Sequence, residues 1–146
     1  MKKPQRIVLA SDHAGYTLKE AVKAHLQAQG IDTIDVGTFS EAPVDYPAIV
    51  RKGCAAALEQ QIFAIVFGGS GNGEAMAANK VRGIRAAVVY SEEIARLARA
   101  HNDANVMSLG GRFTTPDDAK RFTDIFLRTD FEGGRHARRV GDLEPA

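Results

Sequence analysis

The densest chemical signal in the chain is the run Gly68-Gly69-Ser70-Gly71-Asn72-Gly73-Glu74. Glycines at 68, 69, 71 and 73 let the backbone take positive φ and come close to a ligand. Several backbone N–H groups gathered in one turn before a helix start form a cradle for an anion, helped by the helix dipole. The spacing is not the dinucleotide-binding fingerprint, because Glu74 and Met76 stand where a third glycine would be needed. Nor is it a Walker-type loop, since Glu74 rather than lysine follows Gly73. A tight turn needing positive φ would use the same glycines; Ser70 among them and Glu74 directly after favour a site. Glu74 itself admits two roles. A first-turn carboxylate is stabilised by the helix dipole, and a carboxylate held over a substrate can be a general base. The dipole lowers a carboxylate pKa, so the second role needs burial to raise it.

Other candidates are scattered along the chain. Asp12 and His13 are adjacent titratable residues; Asp12 either caps the following turn or joins a site. His101 closes an amphipathic stripe with Ile94, Leu97 and Ala98, where a core or helix-end histidine is the ordinary expectation. Arg135 and Arg139 are spaced i, i+4 and would share a helix face able to grip a phosphate, with His136 and Arg138 beside them. A solvated basic chain end explains the same residues. His25 receives no role, and Cys54, among alanines, reads as a small buried residue rather than a nucleophile.

These residues need elements to position them. Short apolar, β-rich runs recur at Arg6–Ser11, Thr33–Val36, Phe63–Phe67, Ala86–Tyr90 and Asn105–Leu109. Helical patterns lie between them: Thr17–Gln29, Ala48–Leu58 after Pro47, a helix from Glu92 to His101 capped by Ser91, and another after Thr115-Pro116. Strand–helix alternation of this kind predicts a parallel sheet with helices on both faces. In such sheets ligands bind beyond the carboxyl ends of the strands. The segments there are Ser11–Gly15, Gly68–Glu74 and Gly110-Gly111-Arg112, and all three carry glycine. Arg135–Ala146 reads as a short polar helix or tail, and the order of the strands is not readable.

Composition narrows the class. The 146 residues suit one domain, 1–146, with no linker, repeat or low-complexity stretch. Hydrophobic residues at 45% and charged ones at 25% are ordinary for a globular protein. A net charge of +1 gives no global field for nucleic acid or an anionic membrane. A single cysteine excludes an internal disulfide framework and a multi-cysteine zinc site. The start Met1-Lys2-Lys3-Pro4-Gln5-Arg6 is charged like a signal sequence, but the apolar run Ile7–Ala10 is too short for one, and no stretch approaches a membrane span. The expectation is a cytoplasmic protein.

Taken together, the pieces resemble the B-type ribose-5-phosphate isomerases, within the ribose/galactose isomerase family. The matching runs are Ser11-Asp12-His13-Ala14-Gly15-Tyr16, Val44-Asp45-Tyr46-Pro47, Gly68 to Glu74, Ala77-Ala78-Asn79-Lys80, Gly83-Ile84-Arg85-Ala86, His101-Asn102-Asp103-Ala104-Asn105 and Arg135-His136. They cover nearly the whole chain in the family's order. The resemblance implies a single-domain Rossmann-like three-layer α/β/α sandwich on a five-stranded parallel sheet. It also implies a homodimer or dimer of dimers with shared sites, and aldose–ketose isomerisation with neither metal nor other cofactor. Many family members carry a catalytic cysteine at the start of the glycine loop; here that position is Gly68, and the chain resembles the subgroup whose base is a glutamate after the loop, which maps to Glu74.

The resemblance implies further roles. The reaction interconverts ribose 5-phosphate and ribulose 5-phosphate through a cis-enediolate, with Glu74 as base. Ser70 and the loop N–H groups, from Gly69 through Gly71 and Asn72 to Gly73, hold the substrate and its oxyanion. His101 is the ring-opening acid, Asp12 lies near the ring hydroxyls, and Asn102 contacts sugar hydroxyls. Arg112, Arg135 and Arg139 hold the phosphate, with His13 nearby. The sugar is not fixed: a tetrulose 4-phosphate, allose 6-phosphate or galactose 6-phosphate is the nearest alternative. A non-catalytic phosphate-binding module would need the loop but gives no reason for Glu74, Asp12 and His101. One geometric expectation follows from chain direction. Glu74 follows a strand and His101 precedes one, so they belong at opposite ends of a parallel sheet, and a site using both would be shared between two subunits.

Overall fold

The computed structural model describes residues 4–145. The charged start Met1-Lys2-Lys3 and the last residue, Ala146, lie outside the described residues. Five parallel strands, β1 (Arg6–Ser11), β2 (Asp32–Asp35), β3 (Ala64–Gly68), β4 (Ala86–Val88) and β5 (Val106–Gly110), form one sheet in the order β2-β1-β3-β5-β4. The helices are α1 (Tyr16–Ala28), α2 (Tyr46–Gln60), α3 (Asn72–Asn79), α4 (Glu92–Ala100), α5 (Pro116–Arg128) and α6 (Arg135–Gly141). The three-layer α/β/α arrangement is the expected one.

The strands read as unbroken apolar runs because both faces are covered. Ile7, Leu9, Ile65, Phe67, Met107 and Leu109 point into a core shared with α1, α4 and α5. Their neighbours Val8, Ala10, Ala64, Val66 and Val106 point into the opposite core, under α2 and α3. Element ends follow local chemistry. The Ser91 and Thr115 side chains accept hydrogen bonds from Ile94 N and Asp118 N at the starts of α4 and α5, and Pro47 and Pro116 sit in first turns. β3 and β5 each run one residue beyond the apolar stretch, because Gly68 pairs with Gly110. β4 stops at Val88, short of the expected Tyr90. The polar tail is a short helix, α6, and the chain after it returns to the body: the Glu144 carboxylate accepts from Gly83 N at 2.7 Å.

Two basic side chains lie inside, where composition gave no hint of them. Lys19 is fully buried and donates to both carboxylate oxygens of Asp35 at 2.7 Å, while Tyr16 and Phe39 present their rings to the ammonium. Burial alone would raise the Asp35 carboxyl, but hydrogen bonds from Lys19, Gly37 N and Lys23 outweigh it and hold the pKa below the ordinary value. Arg99, 5% exposed, stacks on Phe63 and Phe126 and donates to Ala104 O at 2.7 Å and to the Asp103 carboxylate at 2.9 Å. It clamps the turn from α4 into β5.

Lys19→Met should therefore destabilise the protein by about 1.5–3 kcal/mol, the usual worth of hydrogen bonds to a charged group, because Asp35 loses its buried partner but keeps Lys23 and Gly37 N. Urea unfolding of Lys19→Met and of the double variant Lys19→Met/Asp35→Asn checks this. The double variant should recover part of the loss, and equal stabilities of the single variant and the parent would refute it.

Candidate active site

The sheet order creates the site. β1 turns outward to β2 on one side and has β3 on the other, so the loops after β1 and β3 diverge at a switch point, where open sheets bind ligands. β5 lies beside β3 and adds its own terminal loop. Three glycine-bearing loops thus meet at the carboxyl edge, and they meet backbone to backbone. A Cβ on Gly15 would overlap the Phe67 main chain. One on Gly110 would lie 2.5 Å from Ser70 O, and one on Gly111 2.7 Å from Ala14 O. Gly111 N donates to Gly68 O at 2.7 Å, and Arg112 N to Gly69 O at 3.0 Å. The buried Ser108 hydroxyl donates to Gly71 O at 2.7 Å, fixing the loop where Gly71 takes φ 86° at the start of α3.

Glu74 sits in the first turn of α3, yet it is only 3% exposed. Its carboxyl group lies over Gly68, in the space a side chain at that position would fill. One conformation combines the first-turn contact with the burial that the second role would need. The side chain accepts from its own backbone N–H, as a first-turn carboxylate does, which lowers its pKa. Burial is the larger effect, and the Asp12 carboxylate beside it adds repulsion and a hydrogen bond; the net pKa is raised. Asp12 also does what a turn residue does, accepting from Gly15 N at 3.0 Å.

The neighbours are set by equally local contacts. His13 Nδ1 accepts from Val44 N at 3.1 Å, so the neutral ring carries its proton on Nε2. The Ser70 hydroxyl oxygen accepts from Asn72 N at 3.2 Å, leaving its own proton to donate elsewhere. The Arg112 guanidinium lies over Gly69, where a Cβ would be 3.0 Å from Nη1. Tyr46, at the start of α2, occupies the space beside Gly73 and is a wall residue, quoted in the sequence only as part of the Val44–Pro47 run and given no role there. Cys54 is fully buried, and burial pushes its thiol pKa up to about 11, which suits packing and not nucleophilic attack. His25 ties α1 to α5 through Asp124 at 2.8 Å.

The remaining sequence candidates are elsewhere. His101 caps the C-terminus of α4, ahead of β5, at the amino edge of the sheet. Its ring stacks on His136 of α6, with centroids 4.1 Å apart and planes within 14°. Glu132 Oε1 is 3.6 Å from His101 Nε2 and 3.8 Å from His136 Nε2. Arg135 and Arg139 flank His136; burial and the charges of His101 and both arginines lower its pKa, against the pull of Glu132. Asn102 is exposed and borders a cavity lined by Arg85, Ala104 and Leu143. One chain therefore separates the candidates into two groups. Asp12, His13, Gly69, Ser70, Gly71, Asn72, Gly73, Glu74 and Arg112 gather at the carboxyl edge, and His101, Asn102, Arg135 and Arg139 at the amino edge. The three arginines that the resemblance assigns to the phosphate divide between the edges, Arg112 at the carboxyl edge and Arg135 and Arg139 at the amino edge, as a site shared between subunits would require. Glu132, part of the second group, carried no signal in the sequence. It is an isolated carboxylate in a loop, brought in by the hydrogen bond from its N–H to Ala100 O at 2.9 Å.

Comparison with known proteins gives this geometry a family. The ribose/galactose isomerase family model matches residues 7–143. A ribose-5-phosphate isomerase B of Mycolicibacterium paratuberculosis is 45% identical over 145 residues, covering 94% of this chain and 89% of that protein. The ribose-5-phosphate isomerase B of Escherichia coli is 39% identical, covering 93% and 92%. Among solved structures, a ribose 5-phosphate isomerase of Thermotoga maritima superposes with a TM-score of 0.94 at 44% identity, covering 97% of this chain and 98% of that one. The Mycoplasma genitalium ribose-5-phosphate isomerase B with bound ribulose-5-phosphate superposes with a TM-score of 0.90 at 40% identity, covering 94% and 93%. Matched along nearly its whole length in sequence and in fold, the chain belongs to the ribose/galactose isomerase family.

Proposed function

We propose that the protein interconverts ribose 5-phosphate and ribulose 5-phosphate, with Glu74 as the base. The observation that carries this reading is a buried carboxyl group of raised pKa beside a glycine loop that presents backbone donors. The relative that holds ribulose-5-phosphate supports the substrate class. In the open-chain aldose, the Glu74 carboxylate takes the proton from C2. The C2–H electrons form a C1–C2 double bond, and the carbonyl pair moves onto O1, giving a cis-enediolate. Ser70 and the N–H groups of Gly71 and Gly73 meet the oxyanion, each such donor being worth roughly 3 kcal/mol in comparable sites. The O2 hydroxyl proton moves to O1, the proton now on Glu74 passes to C1, and the electron pair left on O2 closes the C2 carbonyl to give the ketose. Burial makes the step feasible, because a carboxylate at its ordinary pKa is too weak a base at neutral pH.

The furanose form of the substrate must open first. His101 would protonate the ring oxygen, and Asp12 would hold the ring hydroxyls. With His101 and Glu74 at opposite edges of one chain, and a five-residue strand spanning roughly 17 Å, both can serve one substrate only if two subunits share the site. A two-fold pairing that sets the amino edge of one subunit on the carboxyl edge of the other makes two such sites. The phosphate would then lie between His13 and Arg112 of one subunit and the partner subunit's Arg135 and Arg139, and Asn102 would reach the sugar from the same side.

Purified protein should turn over ribose 5-phosphate faster than four- or six-carbon sugar phosphates offered beside it, read in a coupled assay. Glu74→Gln should lower turnover by 10²–10⁴-fold while substrate still binds, whereas Cys54→Ser should stay near the parent rate. Because the Glu74 pKa is raised, activity should fall on acidification at a pH above the ordinary carboxylate range, and Asp12→Asn should move that limb to lower pH. Near-parental activity in Glu74→Gln would sink the assignment of the base.

Sharing of the site is tested by mixing subunits. Glu74→Gln and His101→Ala should each be nearly inactive alone. After co-refolding, half the dimers are mixed, and each mixed dimer carries one intact site, so activity should return to about a quarter of the parent value. Residues acting within one chain would give no recovery.

A further inference from the structure

We propose that His101, Glu132 and His136 form a binding site for a zinc-class divalent cation. Each offers one ligand atom, and these atoms all lie within 4.8 Å of one another. The two imidazole Nε2 atoms face the same carboxylate oxygen, at 3.6 and 3.8 Å. Two histidines and one carboxylate, with an open fourth position, are the donor set of a tetrahedral zinc site, in which ligand atoms stand roughly 3.3 Å apart. The required closure is a few tenths of an ångström at the carboxylate, plus a turn of one ring out of the stack. Glu132 is 53% exposed, so its carboxylate can move in.

The ligands come from two segments, the end of α4 and the stretch 132–136, which the hydrogen bond from Glu132 N to Ala100 O ties together at 2.9 Å. The buried Arg99 reinforces the same corner through Thr129 O and Ala104 O. This is a convergence of donors on a fixed frame and not a cluster of surface acids.

The surroundings choose the ion. Arg135 and Arg139 lie close enough to act electrostatically on His136. They repel any cation, so simple charge attraction cannot hold one there. A hard ion such as Mg²⁺ or Ca²⁺ gains nothing from imidazole and is excluded, whereas Zn²⁺ forms strong bonds to imidazole nitrogen.

A consequence rests on the functional reading above. Coordination occupies the lone pair of His101 Nε2 that would otherwise carry the proton for ring opening. A bound ion therefore inhibits the isomerase and is not its cofactor.

Zinc binding is measured by competition against a chromophoric chelator, a readout independent of turnover. One ion per chain is expected, and His136→Ala and Glu132→Gln should each weaken binding by at least tenfold. A second measurement needs no variant. Of the four histidines in the chain, the NMR signals of His101 and His136 should shift on adding Zn²⁺, and those of His13 and His25 should not. Absence of binding, or shifts at His13 or His25 instead, would overturn the site. In the isomerase assay, Zn²⁺ should inhibit reversibly by chelator, and Glu132→Gln should resist it relative to its own metal-free rate. Zinc held by the two histidines with turnover unaffected would overturn the inhibition and the role of His101, while a missing NMR response would overturn the metal site alone.

Discussion

The structure depends on three loops touching main chain to main chain at the carboxyl edge of the sheet. Gly15 lies against Phe67, Gly110 against Ser70 and Gly111 against Ala14, at separations that leave no room for a Cβ. Loops normally spread apart on their side chains. Here the side chains are missing, so the ends of β1, β3 and β5 close into a single floor. The cross-links from Gly111 to Gly68 and from Ser108 to Gly71 keep that floor rigid. Asp12, Ser70, Glu74 and Arg112 inherit their positions from it. A site held by backbone contacts is more precise than one held by flexible side chains, which is what proton transfer at a fixed carbon requires.

Burial has opposite uses at the two charged groups inside the sandwich and at the one inside the site. Lys19 and Asp35 lie in the body, each satisfied by the other, and the carboxyl group stays well ionised. Glu74 is equally hidden but has a second carboxylate for a neighbour, and its proton affinity rises. The same desolvation thus accompanies a lowered carboxyl pKa in one place and a raised one in the other. The nearest partner decides which. Arg99, stacked between aromatic rings, is a third case: its packing shapes the corner that presents His101.

Much of this was legible in the chain. Strand runs covered on both faces are continuous and apolar, so β1 and β3 could be placed to within a residue or two. Ser91, Thr115 and Pro47 marked helix starts by their capping chemistry. The glycine loop and Glu74 stood out because closely spaced glycines before a helix have few other uses. The strand order was not legible, since the insertion of β5 beside β3 depends on long-range packing with no local signature. Nor could residues alone show which way the Glu74 pKa moves, because that depends on its burial and on Asp12, distant in sequence. Lys19 and Arg99 carry no local signal in the sequence, and only their partners across the fold bring them inside. Glu132 was silent for the same reason. Spacing paired Arg135 with Arg139, and only the resemblance joined Arg112 to them, because sequence does not convey the edge of a sheet on which a side chain emerges.

The overlap between position 68 and the Glu74 carboxyl group ties two sites into one choice. The volume above the loop holds either a side chain at 68 or the carboxyl group of 74 as it lies here, never both. A lineage exchanging one arrangement for the other cannot pass through the first substitution unharmed, since a methyl group at 68 already evicts the reactive oxygen atoms. The two positions are therefore expected to change as a pair, since only a glycine at 68 leaves room for the carboxyl group of 74 as it lies here.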